Sequence, residues 1–296
     1  MGIVGTGHAL PETALTNAEV AARLDLEEGW ILERTGIHTR RILADGESLL
    51  DLAEAAARRA LEAASLDAGA LQKVVVATIT DDLLAPRLAD RLGLRCPAFD
   101  LAAASAGFVY ALDAAKGGGP TLVVGAEQLS RAIDWSDRDT AILFGDGAGA
   151  VVLDPSAGAQ VVATRFGSDG SAHEAVGIVD GVVRMRGRAV YRAYVTHLPA
   201  AVSAVAESAG WAVAEIDHLV PHQANGRALE AVAKRLQLPA HRVVLDLAEI
   251  GNTSAASIPI ALDRAVRSRR IKTGDRVVLA ALGAGLVWGA AALQWD

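Results

Sequence analysis

Apolar positions along the chain follow two periods, one suited to helices and one to strands buried on both faces. From Ser48 the run SLLDLAEAAARRALEAA sets Leu49, Leu50, Ala53, Ala57 and Leu61 on one stripe, as a helix packed on a sheet requires. VVVATI (74–79) and TLVVGAE (121–127) are apolar on both faces, the pattern of strands inside a parallel sheet. GIVGTGHAL (2–10) reads as a strand turning at Pro11, and helices are expected from Thr16 or Asn17 to about Leu24, from Leu26 to Arg34 and over about 83–92. PAFDLAAASAGFVY (97–110) combines a short strand, a tight junction of small residues and the start of a buried helix over about 105–115. This alternation places the first half in the α/β class, with helices on both faces of a sheet.

AILFGDGAGAVVLD (141–154) interrupts the order, because two apolar arms flank GDGAG as in an antiparallel hairpin. The alternation then returns: a helix from about Gly187 to Ala209, a strand HLVPH (218–222), a helix 225–236, a strand near 243–247, a helix 254–268, and RVVLAALGAG (276–285) reversing into LVWGAAALQW (286–295). Both halves end on a buried strand, a glycine-rich reversal and a small apolar returning arm. No Pro/Ser-rich linker separates them. Duplication of one α/β unit into a continuous five-layer core, with halves 1–155 and 156–296, explains this better than two linked domains.

Composition narrows the class. With 296 residues, 52% hydrophobic, the chain is long enough for a large core. The 28 basic and 35 acidic residues leave a formal charge of -7, which argues against a general nucleic-acid surface and leaves room for a local basic patch toward a phosphorylated ligand. The single cysteine, Cys96, permits no internal disulfide, so a cytoplasmic setting is the default expectation. No signal-peptide pattern opens the chain, and every apolar run is cut short of a membrane span.

Three stretches carry candidate chemistry. Ser105 lies near the first turn of the buried helix, beside free backbone N–H groups; VPHQANG (220–226) offers His222 and EIGNTSAAS (249–257) offers Asn252. A Ser, a His and an Asn on three loops can form one acyl-transfer site, or be three unrelated polar residues. Gly5 and Gly7 do not complete a dinucleotide fingerprint, since Leu10 stands where a third glycine belongs. Arg34, Arg40 and Arg41 can meet phosphate or form a solvated edge. The remaining histidines are scattered, and no metal site is expected.

At Ser105, His222 and Asn252 the sequence resembles the β-ketoacyl-acyl-carrier-protein synthase III-like enzymes of the thiolase superfamily. The resemblance runs nearly end to end, through GTGHALPE (5–12), ERTGI (33–37), AFDLAAASAGF (98–108), DRDTAILFGDGAGAVVL (137–153), SDGS (168–171), VPHQAN (220–225), GNTSAASIP (251–259) and GAGLVWG (283–289). It implies a thiolase-like αβαβα fold, a homodimer, and acyl groups carried on coenzyme A or on the phosphopantetheine of an acyl carrier protein, with no permanently bound cofactor. The family's cysteine nucleophile falls on Ser105, its histidine on His222 and its asparagine on Asn252. Trp30 and Arg138 match positions that sandwich the adenine of coenzyme A, and Arg34 and Arg227 match basic positions near its phosphates. Arg188 replaces an asparagine near the pantetheine. The resemblance also implies that the backbone N–H groups of Ser105 and Ala284 form an oxyanion hole, and that TLVVGAE pairs across a dimer axis.

Cysteine to serine at 105 is the chief departure. A thiol is partly ionised near neutral pH, whereas a hydroxyl needs a base to take its proton. His222 is the candidate, yet in the family it stabilises, with Asn252, the enolate from malonyl decarboxylation. The sequence therefore favours an acyltransferase that moves a short acyl group through Ser105 to a carrier-bound or small-molecule acceptor, in a polyketide or related antibiotic pathway. A decarboxylative condensing enzyme is the alternative, and a non-catalytic partner subunit the third. Ala284, where glycine is common, preserves the oxyanion hole only if its backbone tolerates a Cβ.

Overall fold

The computed structural model describes residues 1–296. The first half runs β1 (Gly2–Ala9), β2 (Ala14–Thr16), α1 (Asn17–Leu24), α2 (Glu28–Thr35), β3 (Thr39–Arg41), α3 (Leu49–Ala63), β4 (Lys73–Ala77), α4 (Leu84–Arg91), β5 (Ala98–Leu101), α5 (Gly107–Ala114), β6 (Thr121–Gln128) and β7 (Asp146–Asp154). The second runs β8 (Ala159–Ser168), β9 (Val176–Val179), β10 (Val182–Met185), α6 (Gly187–Ser208), β11 (His218–Pro221), α7 (Gly226–Leu236), α8 (Ser257–Arg267), β12 (Arg276–Gly283) and β13 (Val287–Gln294). Ser48 and Thr16 cap α3 and α1 through their side chains, Thr16 in a reciprocal box with Glu19.

Strand order exposes the repeat. In the first half it is β1-β7-β6-β4-β5, with β4 parallel to β5 and β6 while β7 is antiparallel to β6 and β1. In the second it is β8-β13-β12-β11, with the same senses. A short antiparallel pairing, Gly2 with Gln160 and Ile3 with Ala159, joins the halves into one nine-stranded ladder. Helices α5 and α8 lie between the two sheet halves in a core that both share, α3 and α4 cover the outer face of the first, and α6 and α7 cover the outer face of the second. The fold is the thiolase-like αβαβα arrangement of two repeated halves. No helix is long and apolar enough to cross a membrane.

Four sequence expectations change. Residues 141–154 are not a hairpin: 141–145 form turns and a bridge, and GDGAG runs straight into β7. Its glycines serve close packing, since a Cβ on Gly149 would lie 2.6 Å from the Ile260 nitrogen at the start of α8. TLVVGAE offers no free edge for pairing across a dimer axis, because β6 is paired on both sides by β4 and β7; the edge strand of the first half is β5, and that of the second is β11. The strand near 243–247 shrinks to an isolated parallel bridge between Leu219 and Val243. Arg40 is neither solvated nor placed for phosphate. It is wholly buried, donating to Leu15 O, Asn17 Oδ1 and Ile142 O, where it ties the β2–β3 pair to the loop before β7.

Candidate active site

A cavity of about 280 Å³ gathers Ser105, His222, Asn252, Ala284, Trp30, Arg34 and Arg227 on its walls. Arg138 and Arg188 do not line it. Ser105 and Ser254 lie on corresponding 3-10 turns of the two halves, each leading into a central helix, while His222 and Ala284 follow the ends of β11 and β12. In the first half the turn is Ala104–Ala106 ahead of α5, and in the second it is Ser254–Ala256 ahead of α8. Both turns open on a left-handed residue, Ala104 at φ 45° and Ser254 at φ 49°.

Ser105 is half-buried, and its Oγ lies 3.2 Å from Ser254 Oγ. It makes no hydrogen bond to His222. The end of β12 presses on this elbow so closely that a Cβ on Gly283 would sit 2.8 Å from the Ser105 nitrogen, which places Ala284 beside the nucleophile. Neither the Ser105 nor the Ala284 N–H donates to a backbone carbonyl, and Ala284 keeps an ordinary negative φ that accommodates its Cβ. Two uncommitted N–H groups beside a hydroxyl suit a developing oxyanion.

His222 follows the end of β11, its N–H donating to Ala280 O at 2.8 Å and its carbonyl accepting from Tyr194 Oη at 2.6 Å. The ring Nδ1 lies 2.8 Å from Ser257 Oγ. Burial pushes the imidazole down to about 3, against a weaker opposing interaction with the Ser254 backbone, so it is neutral at physiological pH. Asn252 is held by its own N–H donating to Leu143 O and by its Oδ1 accepting from the Ser254 N–H at 2.9 Å. The carbonyl end of its amide is thereby engaged, and the Nδ2 end has one long contact, 3.4 Å to Ala224 O.

Around Trp30 the arginines converge on the ring itself. The guanidinium carbons of Arg34 and Arg138 lie 4.3 Å and 4.5 Å from its centroid, within cation–π range. Arg34 and Arg227 are exposed and border the cavity, while Arg188 is exposed on the first turn of α6. The apolar wall includes Ile79, Leu129, Ile142, Val176 and Met185, so the β9–β10 pair helps shape the acyl space.

Sequence reasoning passed over Glu127, Ser254, Ser257 and Tyr194. Glu127 had a visible signal, a single acid closing the otherwise apolar strand TLVVGAE. Ser254 and Ser257 lie within NTSAAS and were hidden by its many small residues.

The family model described as 3-Oxoacyl-[acyl-carrier-protein (ACP)] synthase III matches residues 99–170, and that of its C terminal matches residues 206–295. The β-ketoacyl-[acyl-carrier-protein] synthase III of Rhizorhabdus wittichii is 46% identical, covering 99% of this chain and 98% of the relative. The crystal structure of 3-oxoacyl-[acyl-carrier-protein] synthase III from Aquifex aeolicus superposes with a TM-score of 0.96 at 39% identity, over 99% of both chains. The priming β-ketosynthase of the R1128 polyketide biosynthetic pathway superposes with a TM-score of 0.92 at 36% identity, over 100% of this chain and 96% of that one. Similarity of this extent, on a fold with the same repeated halves, makes the chain a transferase of the β-ketoacyl-acyl-carrier-protein synthase III family.

Proposed function

We propose that this protein is a condensing enzyme: it takes an acyl group from a thioester onto Ser105, decarboxylates a malonyl thioester and joins the two into a β-ketoacyl product. The condensing reading replaces the acyltransferase favoured from the sequence, because the relatives are β-ketoacyl synthases and one observation gives His222 work other than activating the nucleophile. Ser105 Oγ pairs with Ser254 and not with His222. His222 and Asn252 thus form a second station on the same cavity.

In the first step Ser105 Oγ attacks the thioester carbonyl, the Ser105 and Ala284 N–H groups receive the oxyanion, and the thiol leaves. In the second, the malonyl thioester oxygen accepts hydrogen bonds from His222 Nε2–H and Asn252 Nδ2–H. In this reading Ser257 Oγ, which accepts from the Gln223 N–H at 3.3 Å, donates its own hydrogen to Nδ1, and the proton of the neutral ring stands on Nε2. Loss of carbon dioxide leaves an enolate held by these two neutral donors, its carbon bonds to the carbonyl carbon of the seryl ester as the Ser105 oxygen leaves, and that oxygen takes up one proton from water to restore the hydroxyl. Acyl-coenzyme A is the donor that Trp30, Arg34 and Arg227 suit, with Arg138 against the Trp30 ring and Arg188 exposed next to Gly187, which borders the cavity. An acyl carrier protein delivers the malonyl group, and two chains pair along the free edge of β5.

Incubation with an acyl-coenzyme A and malonyl-carrier protein, followed by intact-mass analysis, tests the reading. Ser105→Ala should lose the acyl-enzyme. His222→Ala and Asn252→Ala should keep it while the β-ketoacyl product falls at least ~100-fold. Acyl transfer without any β-ketoacyl product from the wild type would return the enzyme to the acyltransferase reading.

A further inference from the structure

The nucleophile's hydroxyl leads away from His222 into a buried polar chain. Ser105 Oγ meets Ser254 Oγ at 3.2 Å, and Ser254 Oγ donates to Glu127 Oε1 at 3.2 Å. Glu127 stands near the end of β6 and is 0% exposed. Its two oxygens have unequal surroundings. Oε2 accepts from Thr80 Oγ1 at 2.7 Å, Ile79 N at 3.1 Å and Thr78 Oγ1 at 3.3 Å, whereas Oε1 has Ser254 alone. A proton arriving at this carboxylate is therefore received on Oε1, the oxygen turned toward the nucleophile.

We propose that Glu127 is the proton acceptor for Ser105, reached through the Ser254 hydroxyl. The proposal rests on the covalent acyl-transfer step of the function read above, and supplies the base that a hydroxyl nucleophile requires. As Ser105 Oγ forms its bond to the thioester carbonyl carbon, its proton passes to Ser254 Oγ while the Ser254 proton passes to Glu127 Oε1. The carbon–sulfur bond then breaks, and the thiolate departs as thiol with the proton returned by Glu127 through Ser254. No oxidant or further reactant enters.

Three features support the assignment. Gly125 lies two residues before Glu127, on the same face of β6, and a Cβ there would come within 2.3 Å of Ala255 O; the missing side chain lets the strand press against the 254–256 turn, which brings Glu127 to Ser254. No cation neutralises the carboxylate, and all its partners are hydroxyls and one N–H. Glutamine would accept from Thr78, Ile79 and Thr80 through its oxygen and donate to Ser254 Oγ through its nitrogen without burying a charge, so packing alone does not call for an acid here. Burial raises the carboxyl to about 7, the range in which a base is both free and effective near neutral pH.

Other titratable groups line the cavity. His222 remains neutral down to about 3, and burial drives the Tyr194 phenol far upward, so neither changes charge near neutrality. Arg34, Asp139, Tyr191 and Arg227 are exposed at the solvent side.

The test follows acyl-Ser105 formation from acetyl-coenzyme A by time-resolved intact mass across pH. The wild-type rate should rise with pH around a midpoint near 7. Glu127→Gln should acylate at least ~100-fold more slowly and lose that rise. Ser254→Ala should show the same loss with Glu127 in place, and it keeps the backbone, since Ala104 adopts the matching left-handed conformation in the other half. In Ser105→Cys, whose thiol ionises without a strong base, the loss caused by Glu127→Gln should be at least ~10-fold smaller. Wild-type rates in Glu127→Gln, or an equal loss in the cysteine background, would overturn the relay. Absence of any acyl adduct on the wild type would instead remove the covalent reading, and the relay with it.

Discussion

Ser257 Oγ and His222 Nδ1 lie 2.8 Å apart, one on the first residue of α8 and the other just past the end of β11. In the mechanism proposed above this hydroxyl donates to Nδ1 and so sets the ring proton on Nε2. Ser257→Ala should slow decarboxylation by roughly 3- to 10-fold, the worth of one neutral hydrogen bond, while self-acylation of Ser105 continues. Carbon dioxide release and acyl-enzyme mass, measured side by side, check the split; equal losses in both would deny the tautomer a role.

Two buried groups give stability opposite dependences on pH. His222 is lowered from 6.5 to about 3, so the contribution of its neutral form is present above 6.5 and is lost as pH falls toward 3. Glu127 is raised from 4.5 to about 7, so its contribution is complete below 4.5 and is lost as pH rises through 7. Glu127→Gln should therefore gain in melting temperature over the wild type as pH rises from about 5 to about 8. A difference that stays flat in calorimetry would show that Glu127 titrates normally.

Binding of coenzyme A should depend on salt. Arg34 and Arg227 are exposed at the cavity, where charge attraction to phosphate is screened. Arg34→Ala and Arg227→Ala should each weaken acyl-coenzyme A binding several-fold at low salt and less at high salt, as read by titration calorimetry. Affinity unchanged in both variants would point to delivery of the donor by a carrier protein.

The free edge of β5 carries Phe99, 41% exposed. An apolar strand edge of this kind is covered when two copies pair. Light scattering should give twice the 30.6 kDa chain mass for the wild type and the single-chain mass for Phe99→Asp. A wild-type monomer at micromolar concentration would end the dimer proposal.

Much of the layer order was legible because the periods are local. The Leu49–Leu61 stripe meets the sheet as α3, VVVATI and TLVVGAE are interior strands, and the repeated reversal near the C-terminus is the antiparallel β12–β13 pair. Ser105, His222 and Asn252 could be singled out because each sits in a short motif at a junction, and junctions expose backbone N–H groups. The GDGAG stretch misled because glycine marks either a turn or a close approach, and only the neighbour at Gly149, the start of α8, distinguishes the two. Arg40 misled because charge alone suggests solvent, while its three acceptors come from segments up to 102 residues away.

By itself the sequence determined the α/β class, the doubling of the unit and the family, and singled out three candidate residues for the site, since all of these are written in period or contiguous motif. Tertiary structure alone decided what each of the three touches. Ser105 and Ser254 are 149 residues apart, and Ser254 and Glu127 are 127 apart, so no local pattern could join them. They meet because the two units share one central core, which sets the 3-10 turn ahead of α5 against the turn ahead of α8 and brings β6 against that second turn. Burial, which follows from that packing, then makes His222 neutral and raises Glu127, because a low-dielectric interior disfavours the charged form of either.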